Sequence, residues 1–131
     1  MSTREVRDLC RKVLEYLISA RRCALPETVN PAIAAVEECA NVSGRHRGVV
    51  DVERDLLSDI GRREKLEQLA RALSRAVPLV EAFRVEARRN NDRRFRRVDG
   101  GALGTSVHAW ARWARRFMRL EALSRLDRSD D

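Results

Sequence analysis

The chain has 131 residues, 44% of them hydrophobic and 36% charged, with six Gly and three Pro. That length suits one domain able to bury roughly two-thirds of its unfolded surface, and the composition excludes disordered and collagen-like classes. The formal charge is +7, unevenly placed: residues 1–83 hold 14 basic and 13 acidic residues, a net of +1, whereas residues 84–131 hold 13 and 7, a net of +6.

The first element is a helix with a start signal. Ser2 and Glu5 have the S-x-x-E spacing in which each side chain can satisfy the other residue's backbone N–H. Val6, Leu9, Cys10, Val13, Leu14, Leu17 and Ile18 then recur at steps of three and four, which predicts one apolar face up to about Cys23. Pro26 is expected to stop this helix, and Asn30 followed by Pro31 reads as the start of a second, with Ile33, Val36, Cys39 and Ala40 inward and Ser43-Gly44 at its end. Gly44 to Gly48 reads as a loop. Val49, Val52, Leu56 and Ile60 continue with helical period to a break or kink at Gly61.

Leu66, Leu69, Ala70, Leu73, Ala76, Val77, Val80, Phe83 and Ala87 form the strongest stripe in the chain. Pro78 lies inside it, so a kink between Ser74 and Pro78, or a split into two helices, is expected. Residues 89–104 lose the periodicity and read as a long loop. A last helix is expected from Thr105 or Ser106 to Leu126, with Val107, Trp110, Trp113, Ala114, Phe117, Leu120 and Leu123 on one side. The fold class is all-α: one bundle of five to six helices over residues 1–126, with a frayed tail at 127–131.

No chemistry-bearing motif stands out. Cys10, Cys23 and Cys39 are odd in number, lack a C-x-x-C pair and fall among apolar positions, which points to buried free thiols and a reducing compartment. His46 and His108 have no carboxylate companion in sequence, and Glu37 and Glu38, being adjacent, point about 100° apart on a helix. There is no P-loop, G-x-G-x-x-G or G-x-S-x-G. No catalytic residue, metal site or cofactor is therefore assigned. The first twenty residues carry Arg4, Asp8, Arg11, Lys12 and Glu15 where a signal peptide needs an uncharged core, so an intracellular protein, cytoplasmic or nuclear, is expected.

The functional expectation rests on arginine. Arg84, Arg88, Arg89, Arg93, Arg94, Arg96 and Arg97 fall within fourteen residues, and Arg112, Arg115, Arg116 and Arg119 share one face of the last helix. Between Arg84 and Arg119 eleven Arg face only Glu86, Asp92 and Asp99, a net of +8 that attracts any polyanion. Phe95 lies among the first group, where an exposed aromatic would stack on a nucleic-acid base. The competing reading makes the last-helix arginines an ordinary solvated face and pairs the others with carboxylates elsewhere in the bundle. GC-rich coding would also favour arginine. The expected role is a non-enzymatic module binding an anionic partner through these twelve residues, nucleic acid first, with low sequence specificity because no helix-turn-helix, zinc-finger, basic-zipper or aromatic-strand motif is present. Gly100, Gly101 and Gly104 precede a helix and could hold a phosphate, although linker glycine is the simpler reading.

The alternative is a protein-interaction adaptor or an oligomerising bundle. The stretch from Lys65 to Phe83, KLEQLARALSRAVPLVEAF, resembles the helix-with-proline pattern in the N-terminal four-helix bundles of plant coiled-coil immune receptors and mixed-lineage-kinase-like proteins. That resemblance, over under a fifth of the chain, implies self-association and contact with anionic membrane. An acidic protein would satisfy the same charge.

Overall fold

The computed structural model describes residues 2–44 and 60–129. These residues form a single all-α bundle of five helices without strands: α1 (Thr3–Ser19), α2 (Pro26–Gly44), α3 (Ile60–Arg89), α4 (Arg93–Asp99) and α5 (Ala102–Ser129), with one 3₁₀ turn, Arg21–Cys23, between α1 and α2. The four long helices pack as a ring, α1 on α2, α2 on α3, α3 on α5 and α5 on α1. Side-chain bonds fix which ends meet. The Asn90 amide, just past α3, donates to the Cys23 carbonyl (2.9 Å), and Arg84 near the end of α3 meets His108 near the start of α5 (2.9 Å). Neighbours in the ring therefore run antiparallel, and α4 lies at the end holding the α1–α2 turn.

Apolar burial accounts for the ring. All nine stripe residues of α3 are buried, as are Val107, Trp110, Trp113, Ala114 and Phe117 of α5, with Trp113 stacked on Phe117 at 5.3 Å. On α1 the buried face is Val6, Cys10, Val13 and Leu17 together with Tyr16 and Ala20, while Ile18 is exposed. Leu123 is likewise exposed rather than inward. The three cysteines are buried free thiols acting as small apolar fillers, and burial pushes the Cys10 thiol up to about 12.

Several features differ from the sequence expectation. At α1 the capping box is half formed: Ser2 Oγ accepts the Glu5 N–H (3.2 Å), but the Glu5 carboxylate takes the Ser2 hydroxyl instead of its N–H. The second helix begins at Pro26, not at Asn30. Pro26 is itself a favourable first residue, the Leu25 carbonyl accepts the first helical N–H groups of Thr28 and Val29, and Glu86 of α3 accepts from the Leu25 N–H and the Thr28 hydroxyl. A carboxylate from another helix thus does the capping, and Pro31 is carried inside the helix.

The split expected at Pro78 does not occur, and α3 runs unbroken through it. Proline there costs about 3 kcal/mol. Burying each large apolar side chain of the stripe returns about 1.5–3 kcal/mol, and such residues lie on both sides of Pro78. Gly61 falls in the first turn of α3, which begins at Ile60. The loop and helix expected between Gly44 and Ile60, His46 included, lie outside the described residues.

A further difference is α4. Residues 89–104, read as one loop, contain a helix of seven residues, and α5 begins three residues before Thr105. Asn91, at φ 54°, turns the chain out of α3 in the left-handed conformation that Asn tolerates, and the Asp92 side chain caps α4 by accepting the Arg94 N–H (2.7 Å). Gly104 closes the other side: a Cβ there would sit 1.7 Å from the Asp99 carbonyl oxygen, so only glycine lets the first turn of α5 lie against the last residue of α4.

Candidate polyanion-binding surface

Two interior features hold α4 on the bundle. The first is aromatic: Phe95, 1% exposed, meets Tyr16 of α1 and Phe83 of α3 edge-to-face, with ring centroids 5.9–6.3 Å apart around the trio. The stacking role expected for Phe95 is overturned. On so short a helix it is the one large apolar side chain, and it goes to the core.

The second is ionic. Asp99 Oδ1 accepts from the Tyr16 hydroxyl (2.8 Å) and from Arg84 Nε (3.3 Å), while Arg88 lies 3.8 Å from Oδ2. The Arg84 side chain is only 15% exposed and also donates to His108 Nε2, which fixes that ring nitrogen as an acceptor because guanidinium has none to offer. Burial, with the hydrogen bond to Asp99 second, pushes the Tyr16 phenol well above its ordinary range. Arg84 is therefore an internal strut and leaves the candidate surface.

The remaining arginines divide by partner. Arg115 is ion-paired with Glu81 of α3, and Arg88 with Asp99, both while largely exposed. Arg89, Arg93, Arg94, Arg96, Arg97, Arg112 and Arg119 are exposed with no described carboxylate within 4.0 Å. Arg116 is exposed on the same face of α5. Arg93, Arg96 and Arg97 line an open hollow of about 570 Å³, and Arg112, Arg115, Arg119 and Met118 line another of about 440 Å³.

The local acids also serve the fold. Glu86 caps α2, Asp92 caps α4 and Asp99 holds Arg84 and Tyr16, so each of the three carboxylates in the Arg84–Arg119 segment is engaged in holding the fold. Missed from sequence were Tyr16 and Asp99 as anchors. Their separation of 83 residues leaves no local signal.

The two basic groups are distinct. Those of α4 lie at one end of the bundle, whereas Arg112 is ten residues beyond the start of α5, about 15 Å along its side. Among the described residues no group of three or more His, Cys, Asp or Glu side chains could hold a metal ion, and no helix is long and apolar enough to cross a membrane. No protein-family model, curated protein or solved structure matches the chain.

Proposed function

We propose that the protein is a binding module that engages an anionic polymer, nucleic acid foremost, through the arginines of α4 and the exposed face of α5. The observation that carries this reading is the set Arg93, Arg94, Arg96 and Arg97: four exposed guanidiniums on a seven-residue helix, none with a described carboxylate within reach. Like charges so placed repel one another, and the core contacts of Phe95 and Asp99 hold them in place regardless. An anionic partner relieves that repulsion, and planar guanidinium suits phosphate oxygens through paired hydrogen bonds. Contacts of this kind read the backbone and not the bases, so low sequence specificity follows.

Binding of labelled nucleic acid at several salt concentrations tests this. Affinity is expected to fall steeply as salt rises, by a log-log slope of about −0.9 for each duplex phosphate neutralised. The variant carrying Arg93→Gln, Arg94→Gln, Arg96→Gln and Arg97→Gln is expected to bind more weakly across all sequences with a flatter slope, while charge reversal at Arg4 and Arg11 of α1 has much less effect. Absence of binding to any anionic polymer at low salt refutes the reading and leaves the protein adaptor.

A further inference from the structure

We infer that the polymer this surface takes is double-stranded, gripped by its phosphates, in preference to a single strand; the inference rests on the polyanion reading above and names its substrate class. The first ground is the fate of the aromatic residues. The chain has three Phe, two Trp and one Tyr, and Tyr16, Phe83, Phe95, Trp110, Trp113 and Phe117 are all buried, the most exposed being Trp113 at 7%. Proteins that hold single strands stack bases on exposed rings, at about 1–3 kcal/mol per base. This protein has no exposed Phe, Tyr or Trp ring to offer. Its exposed donors beside the hollows are guanidiniums, which address phosphate.

The second ground is the arrangement of the charges. A duplex keeps its bases inside and shows about one phosphate charge per 1.7 Å of axis, denser than a single strand and correspondingly steeper in its salt dependence. The two arginine groups stand on separate helices, with Arg112 about 15 Å along α5 from the α4 end, and both helices are fixed to the same core. A duplex is stiff over about 50 nm and presents its phosphates to either group without being ordered first. A flexible single strand loses conformational freedom to do the same, and here no stacking compensates it.

The test uses the full chain and fluorescence anisotropy with a duplex of about 20 base pairs, each of its separated strands, inorganic polyphosphate and anionic vesicles, all at the same salt. The duplex is expected to bind about tenfold or more tighter than either strand, with the larger salt slope, and the four-Gln variant of α4 to lose most of that advantage. Single strands binding as tightly as the duplex, with the α4 variant still weakening both, overturn the duplex inference and leave the polyanion reading standing. Binding to vesicles alone, or to nothing, overturns both.

Discussion

Arg84 and Arg96 lie twelve residues apart in one basic run and carry the same side chain, yet they belong to different parts of the molecule. Arg84 is 15% exposed and bonded to Asp99 and His108, whereas Arg96 is exposed beside a hollow with no described carboxylate in reach. The contrast separates charge present in a sequence from charge available at a surface. Arg84 helps fix the position of α4, and Arg93, Arg94, Arg96 and Arg97 are presented by it.

Phe95 tests the contrast most severely, because it sits among the outer arginines in sequence and among the inner contacts in space. Phe95→Ala is expected to cost about 3–5 kcal/mol in denaturant unfolding, as for other large aromatic truncations in a core, and to loosen α4. An unchanged midpoint would return Phe95 to the surface. Next in size, Arg84→Gln leaves a half-buried Asp99 without its strongest cation and is expected to cost about 1–3 kcal/mol. Equal effects of Arg84→Gln and Arg96→Gln would erase the distinction.

Tyr16 sharpens the same comparison through pH. Its phenol is held protonated beyond its ordinary range near 10 by burial and by Asp99, so its folded pKa exceeds its unfolded one. Stability from this group is therefore full below about pH 10 and is lost as pH rises further, since the unfolded chain releases the proton first. Tyr16→Phe is expected to cost about 1 kcal/mol at neutral pH and to flatten the alkaline decline in melting temperature. The smallest effect belongs to the outer set: each of Arg93, Arg94, Arg96 and Arg97 changed to Gln is expected to move stability by no more than about 0.5 kcal/mol, whereas the four changes together are expected to weaken binding.

Much of the bundle is legible in the sequence because long stripes carry their own period. The nine apolar positions from Leu66 to Ala87 and the Trp110–Trp113–Phe117 set are inward as their spacing predicts. The stripe also outweighs Pro78, a local signal that pointed to a break. What the sequence hides is what depends on distant partners. The start of α2 is set partly by Glu86, about 60 residues further on, and α4 is too short to show a period, so its Asp92 cap and Asn91 turn are readable only once a helix is suspected. At the candidate surface the sequence correctly marks a basic run but cannot sort anchors from presenters, because Tyr16 and Asp99 meet only in the folded chain.

The 83-residue span between Tyr16 and Asp99 also bears on how the protein comes to fold. Seven residues are too few for a helix to persist alone in water, and four of the seven in α4 are arginines that repel each other. The helix therefore forms when Tyr16 of α1 and Phe83 of α3 have already met across the bundle to receive Phe95 and Asp99, and closing that long loop is among the slower, non-local steps of folding. The arginines consequently take up their fixed arrangement only on a chain whose first helix has docked, which makes the basic surface of α4 a reporter of complete assembly.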